Sequence, residues 1–182
     1  MKKFFTDRFG LRVLLLCGGI GFLTACSVTE IQKVEPFNAH DTWVMLPFTN
    51  HSDTPEAGER AADIAETLFR SQRKVHVVKY RLPGDEQLLP EVNQQKMIDA
   101  AIKWGQQQSF HYGLGGSVQE WRYKSGLDGE PAVGVTLNVV DLNTGEVLWS
   151  ASGSQTGWGR ESVSGTGHKL IEELIDGLPL TE

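Results

Sequence analysis

Hydrophobic positions divide the 182-residue chain into three unlike stretches. Residues 13–23 form an apolar run broken only by glycines and Cys17. It is too short to cross a bilayer as a helix, which takes about 20 apolar residues. Residues 27–41 have little periodicity, and Glu30, Lys33, Glu35, Pro36 and Asn38 predict a tether. At about 3.3 Å per residue it would reach roughly 50 Å when fully extended. From Trp43 onward the period changes with each segment. Residues 42–48 are almost continuously apolar, as in a central strand buried on both faces, with Pro47 expected near its end because proline cannot donate within a sheet. Thr54-Pro55-Glu56 predicts a helix start with a cap, a first-turn proline and an acid at the positive dipole end. Ala57, Ala61, Ile64, Ala65, Leu68 and Phe69 then recur at helical spacing. Residues 75–80 read as a second strand, Pro83-Gly84 and Pro90 bracket an irregular connection, and Met97, Ile98, Ala101, Ile102 and Trp104 mark a second helix.

The carboxyl half alternates instead. Residues 112–123 predict a strand whose alternation slips near Glu120, which calls for a bulge. Val133, Val135, Leu137 and Val139 alternate with Gly134, Thr136 and Asn138, and Val147, Trp149 and Ala151 continue the pattern after Asn143-Thr144-Gly145. That is a hairpin over residues 132–154. Val163, Leu170, Ile171, Leu174 and Ile175 predict a last helix. The order β-α-β-α-β-β-β-α belongs to the α/β class. Three antiparallel strands over residues 112–155 would bring the glycine-containing loops 124–131 and 156–161 side by side at one end of the sheet. Loops held on a rigid sheet are where binding residues concentrate.

Charge changes the reading of the first stretch. Lys2, Lys3, Arg8 and Arg12, against Asp7 alone, precede the apolar run. That is the layout of an export signal rather than of an anchor. The run closes on Leu23-Thr24-Ala25-Cys26, which resembles the lipobox of bacterial lipoproteins, whereas Cys17 follows three leucines and no small residue. The resemblance implies that residues 1–25 are removed and that Cys26 becomes the lipid-bearing first residue. Residues 26–41 would then be the lipidated tether and 42–182 the folded domain. Ser27, where an aspartate is absent, resembles lipoproteins sorted onward. It implies the inner leaflet of the outer membrane, facing the periplasm. Without the signal the chain keeps 13 basic and 22 acidic residues, a net charge of −9, and Cys26 as its one cysteine. No internal disulfide is then available. An acidic domain argues against nucleic acid, and it suits either solubility or a cationic partner.

No catalytic constellation emerges, and no metal or cofactor is expected. His40, His51, His76, His111 and His168 are scattered without ligand spacing. Residues 113–116 lead into a strand, at its beginning, whereas a phosphate-binding glycine loop opens a helix, so close backbone packing is expected there. Residues 141–146 carry the oxygens of a calcium loop but fit a hairpin turn better. Nothing marks a nucleophile elbow. Two features remain. Trp158, between Gly157 and Gly159, either folds back over the core or seats at a membrane interface, and the residues alone leave both open. Asp128 and Glu130 lie in a loop that is a solvated turn in a single domain, but around an axis such carboxylates would focus a cation-selective field.

Residues 43–48, the helix over 55–70, residues 115–124, Asp128-Gly129-Glu130-Pro131-Ala132-Val133-Gly134, Gly145-Glu146-Val147-Leu148-Trp149-Ser150 and Gly157-Trp158-Gly159-Arg160-Glu161 together resemble the PelC family. These are outer-membrane lipoproteins of the Pel exopolysaccharide export system. The resemblance implies a mixed five-stranded sheet flanked by three helices, similar to the amino-terminal domain of TolB, and assembly into a closed twelve-membered ring. It further implies a non-enzymatic role beside the outer-membrane β-barrel PelB, guiding a cationic amino-sugar polysaccharide to the pore. Carried over, Trp158 becomes a membrane-interface contact, with Asp128 and Glu130 as the acidic channel lining. The rival readings are a monomeric TolB-like or curli-type envelope assembly lipoprotein and a glycan-acting envelope enzyme, which would need a carboxylate pair or metal cluster in a cleft.

Overall fold

The computed structural model describes residues 27–80, 94–126 and 129–181. The expectations for the export signal, Cys26 and Asp128 lie outside the described residues. The strands are β1 (Ser27–Ile31), β2 (Phe37–Asn38), β3 (Thr42–Asn50), β4 (His76–Lys79), β5 (Tyr112–Tyr123), β6 (Pro131–Asp141), β7 (Val147–Thr156) and β8 (Leu180–Thr181). The helices are α1 (Ala57–Ser71), α2 (Gln94–Gln107) and α3 (Val163–Asp176). Six strands form a mixed sheet in the order β1-β7-β6-β5-β3-β4, and β2 and β8 make a separate parallel pair. β3 is parallel to β4 and β5, while β5, β6, β7 and β1 follow one another antiparallel.

The apolar run of β3 is explained by its position. Trp43, Met45 and Phe48 enter the main core beneath α1 and α3, whereas Val44 and Leu46 meet Ala101 of α2 and Leu142 on the opposite face. A strand covered twice cannot alternate. Trp43, Trp149 and Phe69 are fully buried, each contributing about 1.5–3 kcal/mol on area alone. Trp104 of α2 is half-buried between Tyr80 and Phe110, at ring-centroid distances of 5.6 and 5.7 Å, packed against the smaller core cluster. Gly116 confirms the close packing expected of its glycine run: a Cβ there would collide with the Thr136 carbonyl oxygen and approach Phe48 within 2.8 Å.

Three expectations are corrected. Pro47 does not end its strand; it sits within β3, where the pairing with β5 shifts between Met45 and Phe48. The irregularity absorbs the missing N–H. Helix α1 starts at Ala57 rather than at a Thr54 cap, because the Thr54 hydroxyl donates to the Trp121 carbonyl, and Glu56 takes the cap position in a left-handed conformation (φ 58°) without a side-chain cap bond. The largest correction concerns the tether. Ser27–Ile31 is edge strand β1, paired from Ser27↔Gln155 to Ile31↔Ala151. Phe37 is buried against Trp43 and Tyr112, at 5.8 and 5.3 Å between ring centroids. The sheet therefore has a sixth strand beyond the five expected, built from residues read as linker. The bulge near Glu120 falls where the alternation placed it, between Val118 and Glu120.

Candidate functional site at the loop end of the sheet

The register fixes one end of the sheet as a meeting place. Tyr123 faces Pro131, Ala132 faces Thr156 and Ser27 faces Gln155. Loops 124–130 and 157–162 therefore emerge together, beside the first residue of β1, as the antiparallel order predicted. They are joined: Gly157 N–H donates to the Pro131 carbonyl at 2.9 Å, and the Tyr123 hydroxyl to the Glu161 carbonyl at 3.4 Å.

The second loop is held from below. Its turn closes through Glu161 N–H on the Trp158 carbonyl at 2.8 Å, and Lys169 of α3 reaches the Glu161 carboxylate at 3.0 Å. The buried Thr166 hydroxyl donates to Ser162 O at 3.3 Å and Glu161 Oε2 at 3.5 Å. Ser162 caps α3 by accepting from Gly165 N–H. Gly157 allows this closeness, since a Cβ there would lie 2.5 Å from Glu161 Oε2 and 2.6 Å from Thr166 Oγ1. On this rigid base Trp158 stands 52% exposed, outside both core clusters. Its indole projects from the loop rather than closing over the core.

The first loop is pinned by Lys124 N–H on the Glu130 carbonyl at 2.7 Å. Glu130 is not a free carboxylate: Lys124 Nζ lies 3.8 Å from it, both side chains 44% exposed. At that exposure the pair contributes little to stability, but it offsets part of the local field. Sequence reasoning missed Tyr123, 52% exposed at the same end. Its position on the last residue of β5, beyond the bulge, was the available signal. It also missed the Glu161–Lys169 pair, which joins a loop to a helix eight residues away and has no sequence signature.

Among the described residues no group of three or more His, Cys, Asp or Glu could hold a metal ion, and no helix is long and apolar enough to cross a membrane. The calcium-like residues form a turn, with Asp141 Oδ1 accepting from Asn143 N–H at 2.7 Å and from Thr144 N–H at 3.3 Å.

No family model and no curated protein matches the chain. Solved structures do. The lipoprotein GNA1162 from Neisseria meningitidis superposes with a TM-score of 0.52 at 18% identity, over 75% of this chain and 96% of its own, a likeness of fold. Two structures of a PelC dodecamer from Paraburkholderia phytofirmans superpose with a TM-score of 0.72, at 31% and 30% identity, over 86% of this chain and all of theirs. At that identity over the complete solved chain, the protein belongs to the PelC family.

Proposed function

We propose that this chain is a lipid-anchored, ring-forming and non-catalytic component of an outer-membrane exopolysaccharide export apparatus, which guides a cationic polymer towards a β-barrel pore. The observation that carries the reading is the convergence at one end of the sheet. Projecting Trp158, the Glu130 loop and Ser27, the residue after the proposed lipidation site Cys26, all lie there. Because β1 begins at Ser27, acyl chains on Cys26 have almost no slack. They would hold the loop end against the inner leaflet, at about 0.8 kcal/mol per buried methylene. Trp158 then lies at the depth where amphipathic indoles settle. The partner barrel would be PelB, as in the export system that the family resemblance implies.

The PelC relatives are dodecamers, and a closed ring of this chain would gather the Asp128–Glu130 loops of all copies around one axis. Repeated carboxylates in a confined passage raise the local concentration of cations while each contact stays weak enough for transit. Since Lys124 offsets part of Glu130, Asp128 carries more weight in this reading.

The test joins assembly to transport. Native mass spectrometry of the full lipidated chain in detergent is expected to give a single closed assembly near twelve copies. Cells carrying Asp128→Asn with Glu130→Gln are expected to secrete several-fold less amino-sugar polymer at unchanged protein level. A persistent monomer with unaffected secretion overturns the proposal and favours a monomeric envelope assembly lipoprotein.

A further inference from the structure

Beside the two loops, the same end of the sheet holds a cleft of about 400 Å³ between the first turns of α1 and α3 and the last residues of β5. That volume lies within the range of small-molecule sites, about 300–1,000 Å³. The Thr54 hydroxyl, bonded to the Trp121 carbonyl, fixes the start of α1 against β5, so that Arg60 and Arg122 line one cleft. Tyr123 and Ser164 line it as well, and buried Trp121 closes its inner side.

We propose that this cleft takes the phosphate of an anionic phospholipid headgroup, an inference that rests on the orientation given above, with the loop end against the inner leaflet. The first observation is the sign of its lining. The cleft is lined by two arginines and by no acidic residue, in a chain whose residues 26–182 carry a net charge of −9. A guanidinium is a planar fork of five donors that matches phosphate oxygens in pairs. Among the described residues each arginine makes a single ion pair, Arg60 with Glu56 at 3.5 Å and Arg122 with Glu120 at 2.8 Å. Both pairs are exposed, with the arginine side chains 48% and 53% accessible. Exposed pairs contribute little, so a phosphate can draw on the remaining donors at small cost. The amino end of α3 at the rim adds partial positive charge to the same field.

The second observation is position. The transported polymer of the export reading is cationic, and two guanidinium groups repel it. Phosphate is the anion that a bilayer surface presents. Tyr123 and Trp158, each 52% exposed at this end, are amphipathic rings of the kind that settle at headgroup depth, and Tyr123 is itself part of the cleft wall. An acidic domain is repelled by an anionic surface. A cation-lined cleft at the contacting end offsets that repulsion where contact is made.

The test titrates the full lipidated chain in detergent with phosphatidylglycerol and counts bound lipid by native mass spectrometry. One phosphatidylglycerol per chain is expected. Arg60→Gln with Arg122→Gln is expected to weaken that binding at least tenfold. Ser164 is exposed in the first turn of α3, so Ser164→Glu favours the helix while placing a negative charge in the cleft. It is expected to weaken lipid binding at least tenfold with a melting midpoint no lower than the parent's. Lys96→Gln with Lys103→Gln, a charge-matched pair on the exposed side of α2, is expected to bind lipid as the parent does. Cleft variants that bind like the parent overturn the inference, and so does an equal loss in the α2 variant, since net charge alone would then explain it. Soluble glycerol phosphate is expected to leave no adduct at the lipid concentrations used; binding as tight as that of phosphatidylglycerol overturns the lipid assignment in favour of a free phosphate ester. The orientation is read separately, from quenching of Trp158 emission by lipid-borne quenchers in vesicles. Quenching of Trp158 with inert cleft variants leaves the orientation standing and removes this inference. A Trp158 that such quenchers never reach removes both.

Discussion

Gly157 and Trp158 are neighbours in sequence with opposite demands. Gly157 is buried where Pro131, Glu161 and Thr166 converge, and Gly157→Ala would push a methyl within 2.8 Å of all three. Overpacking of that kind costs about 1–3 kcal/mol. Denaturant unfolding of Gly157→Ala is expected to show a loss in that range. Trp158 is half exposed and belongs to neither core cluster. Trp158→Ala is expected to change stability by less than about 0.5 kcal/mol, whereas the same truncation at fully buried Trp149 costs about 3–5 kcal/mol. If Trp158 meets lipid, its removal lowers binding to phospholipid vesicles without touching the unfolding curve, a separation that Trp149→Ala cannot produce. The sequence signals at this scale were uneven. A tryptophan between two glycines stands out in any reading. The Lys124–Glu130 and Lys169–Glu161 pairs do not, because charged residues are common and only the fold decides which of them meet.

Among the elements, β6 and β7 were the most legible, since a hairpin with one face buried must alternate and its turn closes on a glycine at positive φ, Gly145 (φ 76°). β1 was illegible for the complementary reason. It lies at the edge, four of its five residues are exposed, and its pairing with β7 is through backbone bonds that carry no sequence signature. Helix α1 lost its expected first turn because a hydroxyl suited to capping was taken by a carbonyl 67 residues away. The candidate site followed the same divide. The meeting of its two loops was readable from strand order, while its closeness to the amino-terminal residues depended on β1. An edge strand of five residues opens locally more readily than a central one. Amide hydrogen exchange is therefore expected to be faster for residues 28–32 than for 133–139 of β6. Inserting five Gly-Ser residues between positions 26 and 27 should leave that ranking intact while loosening the domain from vesicles, read as increased quenching of Trp158 emission by an aqueous quencher.

At the scale of the whole molecule, charge and symmetry act together. A net charge of −9 on residues 26–182 is modest on one copy and large when copies share an axis. Attraction of this kind is screened within a Debye length of about 10 Å at 0.1 M salt. Binding of partly deacetylated amino-sugar oligomers to the assembled protein is expected to weaken at least tenfold from about 0.05 to 0.5 M salt. Fully acetylated oligomers, being neutral, are expected to show no such dependence. Salt-independent binding would instead indicate direct hydrogen bonding to the wall.

The pairing of β2 with β8 sets the timing of folding. Phe37 and Leu180 are strand partners, so the aromatic cluster that Phe37 completes with Trp43 and Tyr112 cannot close until nearly the whole chain is available. β1 likewise waits for β7. Contacts of such long sequence separation form late, because the intervening loop must be closed first. As the chain is made amino end first, Phe37 therefore stays without its strand partner, and the β2–β8 pair closes only after residues 180–181 have arrived. The same strand pairs that bind residues 27–38 to the finished fold are thus the ones whose partners arrive last.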